Sequence, residues 1–268
     1  MGVLMVLLGL WAGLPGGAAA QVAETGLARA HAHNDYEHAH PLFDALAQGF
    51  NSVEADIYLV DGKLLVAHNR EDVRADRTLE ALYLAPLRET IRERGGRVYP
   101  GLPPLQLLID IKSDSEATYS ALHEVLRRYA DIMTIFTDEA TVEGPVVAVV
   151  SGERPRGMMQ AQPVRFAGYD GRLEDLEGAR AEVSPSFMPL VSDSWVRITR
   201  WTGDGSLPDS ARQEIARDVE RAHAQGRKLR YWGAPDSVAL WQALYDAGVD
   251  YLNADDLKGL RAFLLRQR

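Results

Sequence analysis

The stretch SVEADIYLVDGKLLVAH, residues 52–68, has the side-chain alternation of a buried strand followed by a turn. Successive side chains of a strand point to opposite faces, so the apolar residues of VEADI fall on one face. Its two acidic residues, Glu54 and Asp56, fall on the other. The pattern therefore predicts a strand that packs its apolar face against helices and turns two carboxylates towards a protein interior.

The second half of the same stretch predicts a β-hairpin. Asp61-Gly62 separates two apolar runs, and Asp-Gly is a strong signal for a two-residue hairpin turn. We expect this hairpin to be an insertion that follows the second strand of the protein. Its returning strand would bring His68 towards Glu54 and Asp56.

Strand-like and helix-like segments alternate outward from this stretch, with no composition break long enough to be a linker. Eight strands with interleaved helices predict an α/β fold, a single (β/α)8 TIM barrel with the hairpin inserted after strand 2. The predicted strands are residues 28–33, 52–59, 106–112, 145–151, 164–168, 187–191, 228–232 and 250–253. The predicted helices are residues 41–48, 116–129, 210–225 and 235–246, and the last two precede glycines suited to C-terminal caps.

Composition narrows the chemistry that this chain can perform. Its 268 residues, 46% of them hydrophobic, suffice for one large domain, which we assign to residues 21–268. The chain has no cysteine, so a catalytic metal must use oxygen or imidazole ligands. The formal net charge is −9 with acidic residues spread along the chain, which argues against nucleic-acid binding by a basic surface. An anionic substrate would therefore need a local cation.

Residues 1–20, MGVLMVLLGLWAGLPGGAAA, have the pattern of a secretory signal peptide. An apolar run is followed by Ala18, Ala19 and Ala20, which match an A-x-A cleavage site. We expect export to a periplasmic or extracellular compartment. No basic residue follows Met1, and an uncleaved N-terminal anchor is the alternative.

The third predicted strand, within LQLLIDIKSD at residues 105–114, repeats the acidic pattern of the second. Alternation puts Asp110 and Lys112 on one face, so three carboxylates would converge with one lysine. Such a cluster holds a cation or shares protons, and all-oxygen ligation favours Mg²⁺ or Ca²⁺. The alternative is a salt-bridge network in which Lys112 and Arg29 neutralise Glu54 and Asp110 without any chemistry.

Four of the seven histidines lie in LARAHAHNDYEHAHPL, residues 27–42. Alternation in the first strand turns Arg29, His31 and His33 inward. His33 lies nearest the carboxyl end of the strand, where active sites of such barrels gather, so it is the catalytic candidate and His31 the supporting residue. His68 is the natural second member of an acid–base pair. Metal affinity without catalysis, or a pH-sensitive surface, is the alternative.

Two later strand ends carry further candidates. LRYWGAPDS, residues 229–237, contains Trp232 and Asp236, and GVDYLNADD, residues 248–256, contains Asn253 and Asp255. All four would project at the catalytic mouth if the strand count is right. Trp232 would wall a substrate pocket there, or it is an ordinary packing aromatic.

The order of these residues resembles the phosphatidylinositol-specific phospholipase C and glycerophosphodiester phosphodiesterase superfamily. HAHNDY at residues 31–36 and the stretch from 41 to 68 are most similar to the group named after altered inheritance of mitochondria protein 6, and also similar to sphingomyelinase D. The residues that carry the resemblance are His33-Asn34, Glu54-Ala55-Asp56, His68, Asp110-Ile111-Lys112, Trp232 and Asn253.

The resemblance implies a metal-dependent phosphoric diester hydrolase. By that likeness His33 and His68 are the general base or nucleophile and the general acid. The substrate is a glycerophosphodiester or a phospholipid head group, and a lipid substrate would bring peripheral contact with a membrane. The cation ligands it implies are Glu54, Asp56 and Asp110, and the substrate-binding residues are Asn34, Lys112, Trp232, Asp236 and Asn253.

Two positions depart from the glycerophosphodiester pattern. Asn34 stands where those enzymes commonly have arginine, and Asp110 stands where they commonly have glutamate. Both departures fit sphingomyelinase D better. The expected mechanism is in-line attack at phosphorus, with His33 on the incoming side and His68 protonating the leaving oxygen. Attack by a neighbouring substrate hydroxyl, which yields a cyclic phosphate, is an open variant.

Two other functions share parts of this pattern. His-x-His at the end of a first strand also begins metal-dependent amidohydrolases, but those enzymes need histidines on later strands, whereas His123 and His223 fall in helical patterns. A noncatalytic phosphodiester-binding barrel is the third hypothesis, because fold alone does not establish turnover.

Overall fold

The computed structural model describes residues 22–137 and 140–268, so the predicted signal peptide lies outside the described residues. Parallel strands in this part of the chain form a nearly closed barrel. The strands in chain order are β1 (Leu27–Ala32), β2 (Phe50–Val60), β3 (Lys63–Val66), β4 (Leu105–Ile111), β5 (Ile135–Thr137), β6 (Thr141–Val142), β7 (Val146–Gly152), β8 (Val164–Arg165), β9 (Gly168–Gly171), β10 (Leu190–Ser194), β11 (Lys228–Trp232) and β12 (Leu252–Ala254).

Eight of the strands within residues 22–137 and 140–268 build the barrel. They neighbour one another in the order β1, β2, β4, β7, β9, β10, β11 and β12, and each pair is parallel. A single parallel bridge between Arg230 and Tyr251 joins β11 to β12. The predicted TIM barrel is therefore confirmed.

Helices cover the outside of the barrel. A π-helical segment, Glu80–Leu84, leads directly into α2. Asp114, Ser237 and Asp256 accept hydrogen bonds from the first turns of three helices, and Gly248 ends one of them in a left-handed conformation, as predicted. The helices are α1 (Phe43–Ala47), α2 (Ala85–Glu93), α3 (Ser115–Arg128), α4 (Arg156–Ala161), α5 (Trp195–Ile198), α6 (Asp209–Ala224), α7 (Val238–Ala247) and α8 (Leu257–Leu265). None of the helices in the described residues has the length and apolar character needed to cross a bilayer.

The barrel interior is layered by the two-residue period of its strands. Leu108, Val149 and Leu190 on three different strands, with Tyr251 directly before β12, form a small apolar cluster inside the barrel. Two residues further along the chain from each of them lies a polar residue. Those polar residues are Asp110, Ser151, Ser192 and Asn253. The apolar layer thus closes the bottom of a polar mouth at the carboxyl ends of the strands.

The outward face of β2 packs as the sequence predicted. Val53, Ala55 and Ile57 are fully buried in the main core. The end of β2 pairs antiparallel with β3, with Val60 opposite Lys63. Asp61 and Gly62 between them both have positive φ, which is the conformation of a tight hairpin turn.

Two predicted strands were misplaced. The fifth barrel strand is Gly168–Gly171 rather than 164–168, because residues 164 and 165 instead pair with β5 in a separate three-stranded sheet. The sixth is Leu190–Ser194 rather than 187–191. Phe187 is nevertheless buried, stacking on Tyr169 at 5.2 Å, so hydrophobicity alone mimicked a strand there.

The predicted inward orientation of Arg29 is wrong. Its guanidinium donates to the carbonyl oxygens of Tyr245 and Val249 and stacks on the Tyr245 ring at 4.0 Å. The ladder between β1 and β2 shifts register between Leu27 and His31, so strict alternation fails at this point. Arg29 therefore holds the end of α7 and takes no part in the acidic cluster.

Candidate active site

Three carboxylates converge at the mouth of the barrel. β2 and β4 are paired so that Asp56 lies opposite Asp110, and Glu54 precedes Asp56 by one full period on the same face. One oxygen of each carboxylate lies within 4.8 Å of the others. We refer to Glu54, Asp56 and Asp110 as the acidic cluster.

Glu54 is ionised by its neighbours. Its Oε2 accepts from Nη2 of Arg230 at 2.9 Å and lies 3.3 Å from Nε2 of His31. Burial alone would raise the pKa of Glu54, but the Arg230 guanidinium and His31 hold it well below its usual range. Glu54 therefore stays a carboxylate at any physiological pH.

His31 supports Glu54 as a neutral donor. Gln106 donates to the Ser52 hydroxyl at 3.0 Å, which leaves that hydroxyl to donate to Nδ1 of His31 at 2.7 Å. Nε2 of His31 then carries the proton and donates to Glu54. Complete burial, together with Arg230, lowers the pKa of His31 to about 3, which keeps the ring neutral. The supporting role predicted for His31 agrees with these contacts.

The other two carboxylates share one lysine. Nζ of Lys112 lies 3.1 Å from Oδ1 of Asp110 and 3.3 Å from Oδ2 of Asp56. Burial and the charge of Glu54 raise the pKa of Asp56 to about 6, and burial also raises that of Asp110. One lysine thus offsets only part of the repulsion within the acidic cluster.

The acidic cluster fits a divalent cation. Oδ1 of Asp56 is buried and has no hydrogen-bond partner among the described residues. An unpartnered buried carboxylate oxygen costs free energy unless something neutralises it. The donors are all oxygen atoms, which is the set that Mg²⁺ and Ca²⁺ prefer. Glu54, Asp56 and Asp110 are therefore the residues that could hold such an ion.

Gly152 at the end of β7 makes room for Asp110. A Cβ atom at this position would lie 2.1 Å from Oδ1 of Asp110 and 2.4 Å from the carbonyl oxygen of Ile111. The residue also has a φ of +69°, which favours glycine. The acidic cluster therefore depends on a glycine from a neighbouring strand.

His33 is held by a carboxylate from the last strand's loop. Its Nδ1 lies 2.8 Å from Oδ1 of Asp255, which fixes the ring with Nε2 free to act. Burial opposes protonation, but Asp255 and Glu54 outweigh it and raise the pKa of His33. Asp236 accepts from the backbone N–H groups of Asp255 and Asp256 at 3.0 and 2.6 Å. Asp236 thus positions the loop that carries the partner of His33.

His68 reaches the site from β3 through Tyr36. The Tyr36 hydroxyl lies 3.0 Å from Nδ1 of His68, 2.6 Å from Oδ2 of Asp56 and 2.8 Å from Oδ1 of Asn34. The Tyr36 and His68 rings are stacked, with centroids 6.5 Å apart. Half of the His68 side chain remains exposed. Tyr36 therefore orients the His68 ring from the protein interior, and the exposed part of the ring lines the cavity.

One cavity of about 290 Å³ joins these groups. Asn253 is buried and does not line this cavity. Its Oδ1 accepts a hydrogen bond from Nε of Arg230 at 2.9 Å, so Asn253 orients an arginine that lines the cavity. Substrate contact by Asn253 and Asp236 stays a prediction. The lining residues are His33, Asn34, Glu54, His68, Asp110, Lys112, Ser151, Arg172, Arg230 and Trp232.

Sequence reasoning missed two arginines that face this cavity. Arg230 shares one face of the strand KLRYW with Trp232, so the two-residue alternation could have identified it. Arg172 follows the observed fifth barrel strand, Gly168–Gly171, whose position could not be read from the short GYDG segment because the sequence predicted a strand at 164–168. Tyr36 was missed as well, because nothing in the loop sequence indicates that its hydroxyl reaches Asp56.

The remaining helical histidines lie away from the cavity, as predicted. His123 on α3 packs between Tyr119 and Phe166. His223 on α6 pairs with Asp250 at 2.8 Å. Neither adds an imidazole to the acidic cluster, as an amidohydrolase site would need.

Known proteins match both the sequence and the fold. Residues 22–98 match the family described as AIM6-like phosphodiesterase domain. Altered inheritance of mitochondria protein 6 of Lachancea thermotolerans is 33% identical over 86% of this chain and 64% of its own length. The corresponding proteins of Eremothecium gossypii and Saccharomyces cerevisiae strain S288c are each 32% identical, over 69% and 68% of their lengths and 88% and 85% of this chain. The chain thus spans about two thirds of these relatives.

The fold is shared with two crystal structures of glycerophosphodiester phosphodiesterases. The enzyme from Agrobacterium tumefaciens superposes with a TM-score of 0.52 at 17% identity, over 90% of this chain and 100% of that chain. The enzyme from Parabacteroides distasonis gives 0.52 at 14% identity, over 90% and 98%. This likeness shows the fold, and the sequence identity to the fungal relatives shows the family. The chain therefore belongs to the altered inheritance of mitochondria protein 6 family and shares its fold with glycerophosphodiester phosphodiesterases.

Proposed function

We propose that this protein is a phosphoric diester hydrolase that uses one divalent cation and two histidines. The observation that carries the proposal is the convergence of the acidic cluster with His33 and His68 on one cavity. A structural ion-pair network would need neither two oriented imidazoles nor an open cavity above its carboxylates. The match to the AIM6-like phosphodiesterase domain and the fold shared with glycerophosphodiester phosphodiesterases support the same class of reaction.

Glu54, Asp56 and Asp110 would hold the cation at the bottom of the cavity. When bound, a divalent cation supplies positive charge that polarises a phosphoryl oxygen and offsets the carboxylates. Lys112 and Arg230 remain at the cavity wall after pairing with those carboxylates. They add positive charge where the negative charge of a phosphodiester would lie.

His33 would act on the incoming side of the phosphorus atom. Asp255 holds Nδ1–H, so Nε2 can accept the proton of the attacking water or hydroxyl. The raised pKa of His33 makes Nε2 a stronger base once it is neutral. Glu54 and Arg230 fix the floor of the site beside it, and Trp232 walls the mouth.

His68 would protonate the leaving oxygen. Nδ1 of His68 lies 3.0 Å from the Tyr36 hydroxyl and 3.3 Å from Oδ2 of Asp56. These contacts orient the ring and leave Nε2 available to donate. Water as the nucleophile gives hydrolysis to a monoester and an alcohol. A neighbouring substrate hydroxyl in the same position gives a cyclic phosphate and the same alcohol.

The decisive test is diester hydrolysis by the chain without its predicted signal segment. Bis(p-nitrophenyl) phosphate, glycerophosphodiesters and choline lysophospholipids would be assayed with Mg²⁺, Ca²⁺ or EDTA. We expect activity that requires metal and falls at least about a thousandfold in His33→Ala and in His68→Ala.

The control is His123→Ala, which removes a histidine outside the cavity and should retain activity. Equal activity of His33→Ala and His68→Ala with the wild type would refute the two-histidine mechanism. Binding of a diester with no turnover in the presence of either cation would instead indicate a noncatalytic binding barrel.

A further inference from the structure

A second cavity, of about 480 Å³, lies beside the candidate active site on the β7 and β9 side of the barrel. Arg172, which follows β9, lines both cavities. Arg172 therefore borders both spaces. A substrate bound at the acidic cluster could extend one of its arms past Arg172 into this second cavity.

The second cavity is lined by four arginines, although the chain as a whole carries a net charge of −9. Three of them have carboxylate partners. Arg172 pairs with Asp170 at 2.8 Å, Arg156 with Asp175 at 2.6 Å and Arg180 with Glu174 at 2.7 Å. The fourth, Arg154, pairs with no carboxylate among residues 22–137 and 140–268, and its Nε is buried without a hydrogen-bond partner.

Two of these guanidinium groups are held by an aromatic ring rather than by a counter-charge alone. The guanidinium carbons of Arg154 and Arg156 lie 5.0 and 5.4 Å from the centroid of the buried Tyr169 ring. Stacking fixes a guanidinium while leaving its donors available. The ring is itself stacked on Phe187, so it is a rigid support.

Loop support does not account for Arg154. The loop between β9 and β10 is held by Arg227, which donates to the carbonyl oxygens of Asp175, Ala181 and Val183. Within residues 22–137 and 140–268 the Arg154 side chain makes no such contact, and it lines the cavity. A planar donor group of this kind matches the oxygens of a phosphate in a two-pronged geometry.

We propose that the cavity lined by Arg154, Arg156 and Arg172 binds a second phosphate group of the substrate. The substrate class is then a phosphodiester whose alcohol also carries a phosphate monoester. This inference rests on the proposed function, which places the diester at the acidic cluster. It adds that the neighbouring cavity selects among diesters by charge.

The test compares two ligands that differ by one phosphate: glycerophosphoglycerol and its terminal 3-phosphate. Calorimetry on His68→Ala with Mg²⁺ measures binding without turnover, and phosphorus NMR on the otherwise wild-type chain measures hydrolysis. We expect the phosphorylated ligand to bind at least about tenfold more tightly, because each charge-assisted contact contributes about that factor. Adding Arg154→Gln should bring the ratio of the two dissociation constants close to one.

Arg127→Gln is the matched control, because it removes an exposed arginine that pairs with Glu124 on α3. It should keep the tenfold ratio. An unchanged ratio in Arg154→Gln would overturn the subsite. Binding of free inorganic phosphate that is as tight as that of the phosphorylated ligand, and that Arg154→Gln abolishes, would overturn the substrate assignment in favour of an effector site. If the ratio collapses in Arg154→Gln while no variant hydrolyses either ligand, the subsite stands and the proposed function fails.

Discussion

The polar mouth of the barrel holds the acidic cluster on β2 and β4 and a single carboxylate, Asp170, on β9, and the protein neutralises them differently. Asp170 on β9 stands alone among donors: its Oδ2 accepts from Ser151 at 2.7 Å, from Ser192 at 2.5 Å and from Nη1 of Arg172 at 2.8 Å. In the acidic cluster three carboxylates share Lys112 and Arg230. We call Asp170 with Ser151, Ser192 and Arg172 the Asp170 cluster.

The difference teaches how to separate a structural ion pair from a candidate metal centre. In the Asp170 cluster one negative charge meets one guanidinium and two hydroxyl groups, so its charge is matched within the protein, although Oδ1 of Asp170, like that of Asp56, has no hydrogen-bond partner among the described residues. In the acidic cluster negative charge exceeds positive charge, and the pKa of Asp56 rises to about 6. A carboxylate count beyond the local cations, rather than burial, is what indicates a site for an ion.

Among the changes that test this comparison, Gly152→Ala should have the largest effect, because it alters the acidic cluster and leaves the Asp170 cluster untouched. The added methyl would collide with Asp110, and a positive φ disfavours alanine by about 1–2 kcal/mol. Displacing a carboxylate of the proposed cation site by about 1 Å should lower kcat/KM about a hundredfold. Steady-state kinetics with Mg²⁺, together with thermal unfolding, would measure both parts.

Gly157→Ala on α4 is the matched control, because an added Cβ meets no atom within 4 Å there. It should leave kcat/KM unchanged and stabilise the helix slightly. Full activity in Gly152→Ala would mean that the position of Asp110 is unimportant, and the comparison between the two clusters would lose its functional meaning.

Replacing one carboxylate in each cluster should move stability in opposite directions. In EDTA at pH 7, Asp170→Asn should lower the free energy of unfolding by about 3 kcal/mol, because it leaves Arg172 and two hydroxyls poorly matched. Asp110→Asn should raise it by about 1 kcal/mol. The pKa of Asp110 is raised in the folded chain, so its ionisation costs stability as pH rises above about 3.8, and asparagine removes that cost.

Metal provides the second half of this test. Mg²⁺ at about 100 times its dissociation constant should stabilise the wild type by about 2.7 kcal/mol, and Asp110→Asn should gain much less. Chemical unfolding with and without Mg²⁺ measures both differences. A loss of stability in Asp110→Asn in EDTA as large as that in Asp170→Asn would show that the acidic cluster is itself an ion-pair network.

The smallest expected effect is that of Asp255→Asn on the pH dependence of activity, which tests the role of His33 beside the acidic cluster. His33 must be neutral to accept a proton, and its pKa is raised, so activity should rise with pH through a midpoint above 6.5. Asp255→Asn removes the raising partner, so the midpoint should move to lower pH. At a pH above 8, kcat/KM of Asp255→Asn should be about tenfold lower than that of the wild type, because His33 is then a weaker base and its ring is less well oriented.

Asp44→Asn is the control for this change, because Asp44 pairs with the exposed His40 at 3.2 Å outside the cavity. Its pH profile should match that of the wild type. A rising limb that stays in place in Asp255→Asn would assign the titration to a group other than His33.

Much of the fold and the centre of the site follow from local pattern. The two-residue period of a strand assigns each side chain of VEADI and LLIDIK to one face. Glu54, Asp56 and Asp110 therefore come together once the two strands are neighbours. The same rule fails where regularity fails. A register shift in β1 turns Arg29 away, and the buried apolar residues Phe187 and Met188 before β10 imitate a strand.

Other features depend on contacts between distant parts of the chain. Asp255 meets His33 across 222 residues, and Arg230 meets Glu54 across 176. Neither partner is marked by its own neighbours in sequence. The second cavity and the unpaired Arg154 are likewise visible only once β7 and β9 lie side by side.

The sequence by itself determined the barrel, the inward carboxylates and the two catalytic candidates, because these follow from the two-residue period of strands and from the order of elements. Export of the chain stays a prediction from residues 1–20 alone. Only the tertiary structure decided which cation meets which carboxylate and which carboxylate is left in excess. The physical reason is that charge balance is a property of atoms a few ångströms apart, and closing the barrel brings together residues that the chain keeps far apart.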